Sequence, residues 1–284
     1  MSAPERFAVI GHPISHSLSP QIHRLFGEQT GRALRYEAID VAPEALGHQV
    51  HGFFAAGGRG LSVTIPHKQA VMPLLSQCGE AGRLAGAVNT LWRAADGGFA
   101  GDNTDGIGLV RDLCDNLGVR IAHSSVLLLG AGGASRGVLA PLLSMRPRTL
   151  LIANRDAARA ATLVGEFHTI AAAAGVRLQA MGLSSLDTMA AEPVDLLLNA
   201  TAASLAQQVP ALPAGLIGTR TVCYDFAYGP KALGFLAAMR ARGAAAAHDG
   251  LGMLVEQAAE AFRIWHGVRP ETDSVLTALR AQQR

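Results

Sequence analysis

The run Ser124-Ser125-Val126-Leu127-Leu128-Leu129 leads without a spacer into Gly130-Ala131-Gly132-Gly133-Ala134-Ser135. A strand that is apolar at successive positions must be covered on both faces, as in a parallel sheet with helices on either side. RTLLIA (148–153), VDLLLNA (194–200) and TVCYDF (221–226) repeat the pattern, with helices predicted up to about Met145 and from Asp156. At the end of the first strand Gly130 permits a tight turn, and Gly132 and Gly133 let the backbone approach a pyrophosphate lying at a helix N-terminus. This half of the chain therefore reads as a Rossmann-type dinucleotide-binding domain.

The end of the second strand bears on which dinucleotide. An NAD site calls for an acidic residue there to bond the ribose 2′-hydroxyl. The chain has Asn154 and Arg155, with Arg159 one turn later. Guanidinium groups suit a 2′-phosphate, so NADP is the expected cofactor. Asp156 opposes this, because its carboxylate would repel the phosphate.

The first hundred residues alternate strands and helices on a different plan. Strands are expected at FAVIG (7–11), RYEAIDV (35–41), LSVTI (61–65) and VNTLW (88–92), with helices from Ser19 and Pro43. Lys68 stands out here, because the chain has only two lysines among its 24 basic residues. A lysine amine can exchange its proton during turnover, which a guanidinium cannot. The loop Gly11-His12-Pro13-Ile14-Ser15-His16-Ser17-Leu18-Ser19-Pro20 places hydroxyls before a helix, where a carboxylate could bind or where Ser19 could be only a cap. Ala87-Val88-Asn89-Thr90 and Gly101-Asp102-Asn103-Thr104-Asp105-Gly106 add groups suited to binding hydroxyls and to ordering an amine.

At 284 residues, two domains are expected, both α/β. The boundaries are set at 1–106, 107–239 and 240–284, the last segment holding C-terminal helices from Gly250 onward. Alanine-rich helix is expected at Ala171–Ala174 and Ala244–Ala247. A net charge of +2 without a basic tract argues against nucleic acid, and no apolar run is long enough for a membrane helix. Cys78, Cys114 and Cys223 are odd in number and widely spaced, which favours a reducing cytoplasm over disulfides. His12 and His16 lack a third ligand at suitable spacing, so no metal is expected.

Taken together, GHPISHSLSPQIHR (11–24), SVTIPHK (62–68), LAGAVNTL (84–91), GDNTDG (101–106), GAGGASRGV (130–138), ANRDAAR (153–159), YDFAYGP (224–230) and DGLGMLVEQAA (249–259) resemble the shikimate dehydrogenase family nearly end to end. The resemblance implies NADPH-dependent, reversible reduction of 3-dehydroshikimate to shikimate, in aromatic amino-acid biosynthesis. It implies Lys68 and Asp105 as the catalytic pair and Ser17 and Ser19 as holders of the substrate carboxylate. Thr64, Asn89 and Gln257 would bond ring hydroxyls, with Asp105 and Tyr228 also on the substrate. Gly130, Ala131, Gly132, Gly133 and Ala134 would take the pyrophosphate, and Asn154, Arg155 and Arg159 the 2′-phosphate. Phe226, Tyr228 and Gly250 would lie on the nicotinamide side. The family also implies that the C-terminal helices complete the substrate domain, leaving a cleft between the domains; a homodimer stays open. The chain departs from the family at Ser62, commonly Asn, at Asp156, commonly Thr, and at Asn199-Ala200-Thr201-Ala202-Ala203, where Asn-Ala-Thr-Ser is usual. An NAD-dependent quinate/shikimate dehydrogenase and a non-catalytic NADP sensor are the rival readings; Asp156 hints at the first, and Lys68 and Asp105 argue against the second.

Overall fold

A computed structural model describes residues 3–189, 192–206 and 208–282. The chain divides into two compact units, one of residues 1–108 with 254–284 and the other of residues 109–253.

The first unit holds β1 (Glu5–Gly11), α1 (Ser19–Thr30), β2 (Leu34–Asp40), α2 (Leu46–Ala55), β3 (Gly58–Val63), α3 (His67–Ala70), β4 (Gln77–Cys78), α4 (Glu80–Ala85), β5 (Thr90–Arg93) and β6 (Phe99–Asp102). These strands form one sheet in the order β2-β1-β3-β5-β6-β4. β1 lies parallel to β2 and β3, whereas β5 runs antiparallel to β3 and β6. Alternation along β1 explains the two cores: Ala8 and Ile10 face Val50, Phe53 and Phe54 of α2, while Phe7 lies 5.0 Å, ring to ring, from Trp265.

In the second unit β7 (Ser125–Leu129), α6 (Gly133–Ser144), β8 (Thr149–Asn154), α7 (Ala157–Ala174), β9 (Arg177–Gly182), β10 (Leu196–Asn199), β11 (Val222–Asp225), α8 (Leu233–Ala241) and β12 (Ala246–His248) build a fully parallel sheet ordered β12-β11-β10-β7-β8-β9. This is the doubly wound order of a dinucleotide-binding sheet, with β7 as its first strand. Both faces are covered. Val126, Leu128, Leu150 and Ile152 pack with Val138, Leu142, Leu163 and Phe167 of α6 and α7. Leu127, Leu129, Leu151 and Ala153 pack with Phe235 and Met239 of α8.

Between the sheets in sequence, α5 (Asp105–Arg111) is followed by a wider turn through Asp112–Asn116. After β12 come α9 (Leu251–His266) and α10 (Asp273–Gln282).

Two expectations need correction. Ala244–Ala247 was expected as helix, but Ala246 and Ala247 begin β12, which extends the second sheet by pairing with Val222 and Cys223 of β11. Alanine's helix preference amounts to only tenths of a kcal/mol, which backbone pairing at a sheet edge and burial of Ala247 outweigh. For the same reason the segment 240–284 does not belong as a whole to the first unit; the division falls at Met253/Leu254.

Candidate active site

The parallel pairing of β1 with β2 and β3 brings their C-terminal ends together, the edge at which open α/β sheets bind ligands. The backbone N–H of His12 donates to Ile65 O at 3.0 Å, which seats the serine loop beside the end of β3. Asp40, at the end of β2, holds that loop through the His12 ring at 2.5 Å and Ile14 N–H at 3.3 Å, and the pairing with His12 lowers the Asp40 carboxyl below its ordinary range. Leu18, not Ser19, occupies the cap position of α1, and Ser17 Oγ accepts from Ser19 N–H at 3.3 Å. Ser19 is buried at the first position of the helix.

Thr64 closes β3 by donating its N–H to Ile10 O at 2.9 Å and accepting from His67 N–H at 2.8 Å, which begins α3 and sets the direction of Lys68. Lys68 Nζ donates to Asp105 Oδ2 at 2.5 Å. Asp105, at the start of α5, is 8% exposed, and its other oxygen accepts from Asn89 Nδ2 at 2.9 Å. Asn89 is also almost wholly buried: its Nδ2 reaches Thr104 Oγ1 at 3.0 Å and Gln257 Oε1 at 3.3 Å, and its Oδ1 accepts from Thr104 N–H and Thr90 Oγ1, each at 2.9 Å. Asn103 Oδ1 accepts from Asp105 N–H at 2.9 Å, which fixes the start of α5. The result is an amine paired with a carboxylate, backed by amides and hydroxyls: a group able to pass a proton next to a polyhydroxylated ligand.

In the second unit the loop after β7 shows why glycine is needed at its head. Gly130 has φ of 103°, and a Cβ there would lie 3.1 Å from Ala200 O. Ser135 Oγ, fully buried, donates back to Gly130 O at 2.8 Å and holds the turn. Gly132, Gly133 and Ala134 are exposed, and nothing lies within 4 Å of a Cβ built on either glycine. The N-terminus of α6 is thus open to an anion. At the end of β8, Asn154 Nδ2 donates to Asp156 O at 2.9 Å, and Arg155 and Arg159 are exposed. Asp156 is the N-cap of α7, its Oδ1 accepting from Ala158 N–H at 3.0 Å and Arg159 N–H at 3.4 Å. After β11, Phe226 N–H donates to Asn199 O at 3.0 Å and Gly250 N–H to Ala227 O at 2.9 Å. A Cβ on Gly250 would come within 2.4 Å of Phe226 O, so no larger residue fits there. Burial raises the Tyr228 hydroxyl pKa above its ordinary value. Among the described residues no cluster of three or more His, Cys, Asp or Glu could hold a metal.

Family models for the shikimate dehydrogenase substrate binding domain, shikimate/quinate 5-dehydrogenase and the shikimate 5′-dehydrogenase C-terminal domain match residues 9–91, 112–207 and 250–280. Shikimate dehydrogenase (NADP(+)) of Methylococcus capsulatus is 49% identical over 284 residues, which span 100% of this chain and 99% of the relative. The chain belongs to the shikimate dehydrogenase family. Among solved structures, an Ael1 enzyme from Pseudomonas putida has a TM-score of 0.88 and 42% identity, covering 97% of this chain and 98% of the other. Shikimate 5-dehydrogenase of Thermus thermophilus, solved with NADP(H) and shikimate, has a TM-score of 0.83 and 34% identity over 98% and 99% of the two chains.

Of the residues to which the shikimate dehydrogenase resemblance gives roles, Lys68, Asp105, Asn89 and Gln257 fall in one hydrogen-bonded group. Ser17 and Ser19 lie in the loop after β1 and at the start of α1, and Thr64 follows the end of β3. Tyr228 lies in the second unit, and its hydroxyl takes no hydrogen-bond partner among the described residues. Sequence reasoning singles out neither Thr104 nor Thr90, although both bond Asn89, and Asn103, which orders Asp105, also escapes it. All three lie inside the two Asn/Thr clusters; which side chain of such a cluster turns inward is decided by the β5–β6 register, where Thr90 faces Asp102.

Proposed function

We propose that this protein catalyses the reversible NADPH-dependent reduction of 3-dehydroshikimate to shikimate, with Lys68 as the proton donor. The observation that carries the reading is the Lys68–Asp105 pair backed by Asn89, Thr104 and Gln257. Ser17 and Ser19 hold the substrate carboxylate, which fixes the ring carbon presented for reaction. Thr64, Asn89 and Gln257 bond ring hydroxyls, and Tyr228 supplies a further hydroxyl toward the substrate. When bound, NADPH supplies a hydride to the ketone carbon. Lys68 gives a proton to the oxygen as negative charge develops there, and Asp105 holds the ammonium in line for that transfer. In the oxidative direction Lys68 accepts the proton from the alcohol.

The residues of the second unit fit NADP. The open N-terminus of α6 at Gly130–Ala134 suits the pyrophosphate, and exposed Arg155 and Arg159 with Asn154 suit the 2′-phosphate. Phe226 and Gly250 line the nicotinamide side. Asp156, the residue set against a 2′-phosphate, has one carboxylate oxygen engaged by two amides of α7, so its charge is partly met at the helix N-terminus and limits, without reversing, the preference for NADP. Initial rates with shikimate or quinate, each with NADP or NAD, test this. The highest kcat/KM is expected for shikimate with NADP; preference for quinate or for NAD would overturn the reading.

A further inference from the structure

A buried carboxylate sits at the C-terminal edge of the second sheet without a part in the proposed chemistry. Asp225 ends β11 and is fully buried, as is Asn199 at the end of β10; Ser204 is 1% exposed. Asp225 Oδ2 accepts from the Ser204 hydroxyl and from Asn199 Nδ2 at 3.2 Å, and Oδ1 accepts from Ala227 N–H at 2.9 Å. Asn199 Nδ2 also reaches Ser204 Oγ at 3.1 Å. Ala227 O in turn accepts from Gly250 N–H at 2.9 Å. One carboxylate therefore ties together the loops that follow β10, β11 and β12.

Placing a carboxylate in a dry site is unfavourable, and burial pushes the Asp225 carboxyl up while its three donors pull it back. Such a group is retained at a cost to stability, which points to a specific arrangement rather than to stability alone. In a doubly wound sheet the first three strands serve one mononucleotide half and the last three serve the other. The loops after β10, β11 and β12 belong to the half opposite the 2′-phosphate residues of β8. We propose that Asp225 is a positioning residue for the nicotinamide end of the cofactor, setting the backbone at 226–228 and at Gly250 through Ser204, Asn199 and Ala227. This rests on the NADP-binding reading of the second unit.

The test compares two ligands on the full-length protein by calorimetry: NADPH, and adenosine 2′,5′-bisphosphate, which carries the adenosine half alone. In Asp225→Asn, which keeps the volume but sets two donors against each other, Kd for NADPH is expected to rise about 10-fold, as for loss of one or two buried hydrogen bonds. Kd for adenosine 2′,5′-bisphosphate is expected to stay within about 2-fold of wild type. Ser204→Ala should show the same split at about 3-fold and carries the test if Asp225→Asn does not fold. A purely structural role would reduce the fraction of protein able to bind while leaving both constants alone. That result, or an equal loss for both ligands, overturns the proposal. Wild-type protein that fails to bind NADPH would overturn the functional reading and this proposal with it, whereas normal wild-type binding with no split in the variants overturns this proposal alone.

Discussion

Lys68 and Asp105 are joined directly, so removing either leaves the other without its partner. Lys68→Ala and Asp105→Ala are each expected to lower kcat roughly 100-fold or more, with little change in KM for NADP, as steady-state kinetics would show. Lys68→Arg should fail almost as badly, because a guanidinium does not release its proton; turnover near wild type in that variant would sink the proton-donor assignment. In the proposed reading, Arg155 contacts a phosphate that only NADP carries. Arg155→Ala should lower kcat/KM for NADP roughly 10- to 100-fold and leave NAD nearly untouched. An equal loss with both cofactors would place the 2′-phosphate elsewhere.

Asp156 belongs to the scale of the element, because it caps α7, a helix of 18 residues, as well as standing next to Arg155. The two roles separate by substitution. Asp156→Ala removes the cap and should destabilise the protein by about 1 kcal/mol, measured as a lower urea midpoint. Asp156→Thr keeps a capping hydroxyl, so stability should hold while the ratio of kcat/KM for NADP over NAD rises. If Thr destabilised as much as Ala, or left the ratio unchanged, the cap and the charge would not be separable in this way. α3 makes a related point about short elements: four residues cannot form a stable helix alone, and its place depends on the hydrogen bond from Thr64 N–H before it to Ile10 O and on that from the ring of its first residue, His67, to Val41 O.

At the scale of the whole molecule, acid stability depends on the core that joins the two ends of the chain in the first unit. His23 of α1 stacks on Tyr36 at 4.2 Å and meets Phe26, Phe262 and Trp265, while His266 packs on Phe262 and Phe7. The Nε2 atoms of both histidines are buried and have no hydrogen-bond partner among the described residues. Burial lowers His23 to about 3 and His266 to about 4, the first also by repulsion from His266 and the second by Arg32 and Arg59, against an opposing pull from Glu5. A histidine whose folded pKa lies below its unfolded value stabilises fully above the unfolded pKa, near 6.5. That stability is lost as pH falls from there toward 3 to 4, because only the unfolded chain takes up the protons. At pH 5 the loss from His23 should be about 2 kcal/mol. Urea midpoints at pH 7 and pH 5 should differ accordingly, and His23→Phe, which keeps an aromatic ring in the stack, should reduce the difference. An equal pH dependence in that variant would locate the acid sensitivity elsewhere.

Much of the second unit was legible residue by residue. Runs such as Val126–Leu129 and Leu150–Ala153 pack on both faces of the sheet, and such strands have no polar face to conceal. The glycine loop was equally plain, since only glycine meets the backbone demands at Gly130. In the first unit candidate residues could be named, because lysine is scarce and the Asn/Thr clusters are conspicuous. Their mutual arrangement was another matter. That Asn89 bonds Asp105, Thr104 and Gln257 depends on the β5–β6 register and on a helix 168 positions away in sequence. The edge strand β12 escaped for the same reason: its alanines favour helix locally, and only the free edge of β11 makes them a strand. Composition and local pattern thus determined which residues are candidates for chemistry and which strands are buried, because those follow from side-chain type and periodicity. Pairing across the sheets and the return of α9 and α10 to the first unit were decided by tertiary structure, since hydrogen bonds and ring contacts between residues far apart in sequence leave no local pattern to read.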